Sequence, residues 1–313
     1  MGWLRTMVDL SCFGFLSSLQ VMQIDSFPRA NAGVLVSDMF GIVTPDAPIL
    51  ALLASSLGLK VGLVSNNVGM DAKGREITRL LAEYGIQSTV ASHQECKTPQ
   101  TVVLCDRTGG RTWFSYLPNV LDGLSSADLS LMGSCKLAYV DLYAVIRQAS
   151  MGAIRESMAR MTPLFINLGG DSLAPEDAFA LSEGNVAIVQ TSWDGQSDIE
   201  PKALATRLKD MTGAEIVLVT MASRGALCLA QSSMMYVPAY KLATIHSNGA
   251  GAAFSAGIGC GYLQGWDLVR TLSFASALGG LFCTVPNGFG LFSVDHILAF
   301  MQENQSLQPS ILA

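Results

Sequence analysis

The sequence predicts an α/β fold built on a mostly parallel sheet with helices on both faces. From Lys136 onward, strand-like runs over 137–142, 164–167, 186–190 and 216–220 alternate with helical runs over 149–161, 175–182 and 201–211. The strand-like runs are apolar along their whole length, as strands covered on both faces must be. Short turns such as Gly169-Gly170-Asp171 follow them, at the carboxyl ends where such sheets bind ligands.

The chain has 313 residues, half of them hydrophobic and 14% charged, which suits one large domain with a sizeable core. A net charge of −6 and a pI near 5.0 argue against nucleic acid as a partner. The seven cysteines are scattered singly, without a Cys-x-x-Cys pair, and read as free thiols of a reducing compartment. His93, His246 and His296 lack metal-site spacing, so no metal centre is indicated. Arg5 and Asp9 interrupt the apolar N-terminus, and no run of about 18 apolar residues occurs. The expectation is a soluble cytoplasmic protein that engages no membrane.

In chain order, Leu10 to Gln20 reads as a first strand, buried on both faces. Asp25, beside Phe27-Pro28, is either a ligand contact or a turn residue. Residues 32–43 form short alternating stretches, read as lid strands. Thr44-Pro45-Asp46-Ala47-Pro48 then leads into a helix over about 49–57, where an early proline is well tolerated. A strand over 59–65 and an amphipathic helix over 77–84 follow. Gln100–Asp106 and Arg111–Tyr116 alternate as a hairpin about Thr108-Gly109-Gly110, with Trp113 and Tyr116 on opposite faces. Tyr139, Asp141 and Tyr143 share a face by their period of two and are candidates to line a substrate cavity.

The stretch His246-Ser247-Asn248-Gly249-Ala250-Gly251-Ala252-Ala253-Phe254 is the most informative. Its glycine turn opens an apolar segment with helical spacing (Phe254, Ile258, Tyr262). Such a turn leaves backbone N–H groups unpaired at the positive end of the helix dipole, a ready anion site. Asn248, Gly249, Ala250 and Gly251 are the candidate anion-binding residues. His246, just before the turn, is either an acid–base group or a cap of the turn.

With Phe254 and Gly257, this stretch resembles the second signature of the ribokinase-like (PfkB) carbohydrate and nucleoside kinases, Asp-Thr-Thr-Gly-Ala-Gly-Asp-x-Phe-x-x-Gly. Asn66 to Gly74 resembles the family's Val-Gly-x-Asp-x-x-Gly turn. Val219 to Gly225 resembles its Thr-x-Gly-x-x-Gly nucleotide loop, with Ala222 in place of a glycine. Phe274 to Gly280 resembles its adenine-side segment, which Val285-Pro286-Asn287-Gly288 closes. The resemblance runs from about Leu10 to Asn304. It implies a single ribokinase-like three-layer α/β/α domain over 1–313, with a small β lid from 32–43 and 100–116. It further implies that Thr220, Ser223, Gly225 and Ser276 join the glycine turn in holding a nucleotide. Leu19, Asp25, Ile49, Tyr139, Asp141 and Asn167 would line the substrate cavity. ATP and magnesium are the candidate cofactors and a small molecule the ligand; separately, an exposed lid edge is adhesive, which makes a homodimer through the lid strands a candidate assembly.

Several signature positions depart from the family. The catalytic aspartate falls on Ala252 and the first aspartate on His246. The first-strand acid is missing from 15–20. The Gly-Gly-x-Ala-x-Asn signature reads Thr44, Pro45 and Ile49 at its defining positions. The magnesium-organising Asn-x-x-Glu becomes Ser192 and Gly195, leaving Asp194 displaced by one residue. His246 and Asp194 are then the remaining candidates for a catalytic group. Loss of a general base alone slows a reaction by about 100- to 10,000-fold. The leading expectation is a ribokinase-like protein without the usual phosphotransfer residues, repurposed to act on or bind a relatively apolar small molecule. The alternatives are a sugar or nucleoside kinase with an atypical base, a kinase inactivated by an introduced Ala252, and a non-enzymatic interaction protein using its lid edge.

Overall fold

The computed structural model describes residues 7–41, 43–107, 110–195, 199–286, 289, 292–304 and 307–312. A ten-stranded sheet forms the body. From one edge it runs Gln87–Ser88, Val61–Val64, Val8–Phe13, Cys135–Asp141, Leu164–Asn167, Val186–Ser192 and Ile216–Thr220, all parallel. Ala226–Ala230, Ser233–Val237 and Ser310–Ile311 complete it, each antiparallel to its neighbour.

Both faces are covered, which explains the continuously apolar strands. On one face Leu137, Tyr139, Phe165 and Ile188 pack under helices Asp46–Ser56, Ala250–Leu263 and Leu268–Phe282. On the other, Val140, Ile166, Val189 and Val217 pack under Arg147–Ala159, Pro175–Ser182 and Pro201–Thr212. Among the described residues no helix is long and apolar enough to cross a membrane.

The first strand differs from expectation. Val8–Phe13 lies in the body, the chain leaves the sheet at Gly14, and Ser17–Ile24 becomes an inner strand of the lid. A Cβ on Gly14 would lie 2.6 Å from Asp141 Oδ2 and 2.7 Å from the Ala47 Cβ, so only glycine turns the corner there. Apolar residues on both sides of Gly14 (Phe13, Phe15 and Leu16) hide this break. The lid sheet is ordered Arg111–Tyr116, Gln100–Cys105, Ser17–Ile24, Val36–Phe40, with Val43–Thr44 also paired to Ser17–Ile24. Of the stretch 32–43, only 36–40 and 43 are therefore strand. The hairpin of 100–116 is present, although its turn residues Thr108 and Gly109 lie outside the described residues.

Helix Asp46–Ser56 begins three residues before the expected Ile49. Helix Ala72–Glu83 also begins early, because the Asp71 carboxylate accepts the Gly74 N–H at 2.9 Å and caps it.

Candidate functional site

The glycine turn stands where the last body strands give way to helix Ala250–Leu263. Gly249 has φ +79°, and a Cβ there would lie 2.9 Å from the Phe282 ring and 3.0 Å from Ile49 Cδ1. Left-handed backbone and tight packing both demand glycine at this position. Gly251 differs: a Cβ there would meet nothing within 4 Å, leaving a cradle over the start of the helix. Ser247 to Gly251 form one wall of an open cleft of about 1600 Å³ between body and lid. Thr220, Ser223, Gly225 and Ser276 line the same cleft, so the structure brings all eight expected anion- and nucleotide-binding residues together. Asp194 also lines it. Cys283 does too, with its thiol donated to the Gly279 carbonyl.

Ala252, at the position of the family's base, is fully buried. His246 is buried as well, its ring 5.1 Å from Phe40 and 5.6 Å from Phe282. Its Nδ1 lies 3.1 Å from the Asn248 carbonyl and its Nε2 2.9 Å from the Val285 carbonyl. Carbonyl oxygens only accept, so both ring nitrogens are engaged as donors or face an acceptor, and neither is offered to the cleft. Burial holds the imidazole below its ordinary pKa, against the two carbonyls that favour its charged form. In this geometry His246 ties the turn to the Val285 carbonyl through its ring nitrogens.

The expected substrate cavity falls into three places. Leu19 and Ile49 join Val21, Phe40, Val43, Phe282 and Phe289 around a pocket of only about 20 Å³, room for about one water. Asp25 sits on the lid, ion-paired to Arg107 at 2.5 Å, and does not line the cleft. Tyr139, Asp141 and Asn167 lie buried beneath the floor.

Two cleft-lining acids, Asp46 and Asp171, were not among the candidate site residues. Asp46, in the first turn of its helix, lines the cleft with Thr44, Pro45 and Tyr143. Its Oδ2 accepts the Tyr143 hydroxyl at 2.8 Å and the Asn167 amide at 2.9 Å. The same amide donates to Asp141 Oδ1 at 2.9 Å, which also accepts the Tyr139 hydroxyl at 3.0 Å. Asp141 Oδ2 accepts the Ala47 N–H at 2.9 Å. Burial first, then the charge of Asp46, pushes the Asp141 carboxyl up to about 7, against the donors from Asn167, Ala47 and Tyr139. The sequence did hold a signal: Asp46 precedes Ile49 by three residues, which puts the two on one helix face, and Ile49 touches the glycine turn.

Across the cleft, the lid presents Thr101, Val103, Arg111, Trp113 and Ser115. Arg111 Nη1 donates to the Ser247 carbonyl at 3.1 Å. Trp113 is 67% exposed. Among the described residues no group of three His, Cys, Asp or Glu side chains could hold a metal ion. Asp194, Asp46 and Asp171 are the cleft carboxylates that would hold a magnesium ion through its waters beside a bound phosphate.

The sequence profile of the pfkB family carbohydrate kinases matches residues 50–289. The ATP-dependent 6-phosphofructokinase isozyme 2 of Mycobacterium tuberculosis is 27% identical over 128 residues, a match spanning 40% of this chain and 38% of that protein. Solved structures align over nearly the whole fold. An Arabidopsis thaliana ribokinase complexed with ribose and ATP aligns with a TM-score of 0.74 at 15% identity, covering 95% of this chain and 99% of that one. A microbiome-derived acarbose kinase reaches 0.76 at 20% identity, covering 95% and 100%. A putative ribokinase II from E. coli reaches 0.76 at 17%, covering 95% and 99%.

Proposed function

Because the chain belongs to the pfkB family of carbohydrate kinases, we propose that it binds a phosphorylated small molecule at its glycine turn but does not transfer phosphoryl groups by the family's aspartate route. The observation that carries this reading is Ala252, a buried methyl at the base position, beside a His246 whose ring nitrogens both meet carbonyls. A methyl group cannot accept a hydroxyl proton. Apolar side chains on the cleft itself, among them Phe15, Val103, Trp113 and Phe254, support a ligand with an apolar face. Calorimetric titration with ATP, followed by an assay of ADP release over ribose, fructose, fructose 6-phosphate and adenosine, tests it. Binding without acceptor-dependent ADP release is expected, and acceptor-dependent turnover overturns it.

A second reading, a kinase with an atypical base, is favoured by one observation: Asp46 and Asp194 line the same cleft as the turn. Turnover lost in Asp194→Asn or Asp46→Asn would select it. An assembly role for the lid rests on its outward face, where Met39, Phe114 and Tyr116 are all more than half exposed. Light scattering that shows a dimer at micromolar concentration supports that role, and a monomer rejects it.

A further inference from the structure

The polar groups under the cleft floor are short of donors. Asp46 Oδ2 takes two neutral donors, while among the described residues its Oδ1 has none. Neither Asp46 nor Asp171, which also lines the cleft, forms a salt bridge among those residues; Asp171 Oδ2 accepts only the Ala144 N–H at 2.7 Å. Gln190 is the register neighbour of Asn167. Its amide nitrogen donates to the Gly251 carbonyl at 3.3 Å, and its Oε1 is buried without a partner. At the glycine turn donors are supplied instead, by the start of helix Ala250–Leu263 and by the Arg111 guanidinium beside Ser247. The cleft lining thus carries both polarities, a carboxylate oxygen at Asp46 unpaired among the described residues and cationic side chains at Arg111, Arg207 and Lys241.

From this polarity the geometry points to Asp46 as a specificity-determining carboxylate that selects a ligand bearing a protonated amine. A hydroxyl would supply one donor and leave the charge of Asp46 uncompensated. An ammonium offers three donors and no acceptor, and it neutralises the carboxylate. Tyr143 and Asn167 hold Oδ2 in place, so Oδ1 is presented without the side chain having to be ordered on binding. From the lid, Trp113 lines the same cleft, and an indole ring attracts cations. The ligand class is a small polyol with an amine at the Asp46 end and an anionic group at the turn, which rests on the anion-binding reading proposed above.

Glucosamine and glucose, which differ in one amine for one hydroxyl, test the inference by calorimetry on the full chain, with ATP titrated in parallel. Glucosamine should bind roughly tenfold more tightly than glucose, the difference between a charge-assisted and a neutral hydrogen bond. That preference should vanish in Asp46→Asn and persist in Asp171→Asn. Equal affinities, no binding of either sugar, or a preference that survives Asp46→Asn overturns it. Far-ultraviolet dichroism confirms that each variant is folded. Failure of ATP alone to bind the unmodified chain would instead fault the anion-binding reading, so the two outcomes remain separate.

Discussion

At the glycine turn the cleft wall is main chain, from Ser247 to Gly251. At the facing floor it is side chain: Asp46 and Tyr143, with the buried Asn167 behind them. A main-chain site needs only the right backbone angles and room for the ligand, so it tolerates exchange of the residues around it. A side-chain site is rewritten by each substitution. On this contrast a glycine scaffold survives exchange of the side chains around it, whereas each such exchange alters the side-chain wall. Fold-level likeness carries the first wall and says little about the second.

The comparison can be broken at the turn first. Gly249→Val forces a side chain into left-handed backbone against Phe282 and Ile49. ATP affinity should fall by at least about tenfold and stability by about 1–3 kcal/mol, read by calorimetry and denaturant unfolding. Unchanged affinity would remove the turn from the binding site. Next, Ala252→Asp places a carboxylate in a fully buried position, and a loss of about 1–3 kcal/mol is expected with no gain in phosphotransfer. A gain of about 100-fold or more, the usual worth of a general base, would show that the facing wall still accepts the family's substrates.

The floor gives a pH signature. The Asp141 carboxyl rises from the ordinary 3.8 to about 7 on folding, so the folded state keeps its proton longer than the unfolded chain. Its stabilisation is complete below pH 3.8 and is lost as pH rises towards 7. Asp141→Asn should remove that slope from unfolding curves taken across this range, and an unaltered slope would contradict the burial argument. The smallest effect is expected at His246→Phe. Losing its carbonyl contacts should lower stability by about 1 kcal/mol in thermal unfolding, and no change would mean that the Asn248 and Val285 carbonyls find other donors.

The body was legible because its parallel strands carry a pattern that nothing else does. Leu164–Asn167 and Ile216–Thr220, with helix Pro175–Ser182, appear at the limits the apolar runs set. The lid was half legible: the hairpin alternates, but Ser17–Ile24 was fused to the strand before it because both are apolar. The hairpin of Ala226–Ala230 and Ser233–Val237 carries no helix between its strands and was not read at all. At the site, main-chain positions were found from glycine alone. Side-chain roles were not, because burial decides them: Asp141 went under the floor and Asp46, unremarkable in a Pro-rich turn, took the cleft.

The placement of one lid residue also has an optical consequence. Trp193 and Trp266 each lie against a guanidinium, 4.3 Å from Arg224 and Arg270 respectively, in partly covered surroundings. Trp113 alone of the described tryptophans stands mostly in solvent on a cleft wall. A molecule entering the cleft takes water chiefly from Trp113, Trp193 in the same lining being already partly covered, and shifts the emission to the blue. The protein thus carries a built-in fluorophore for cleft occupancy, and Trp113→Phe is its blank.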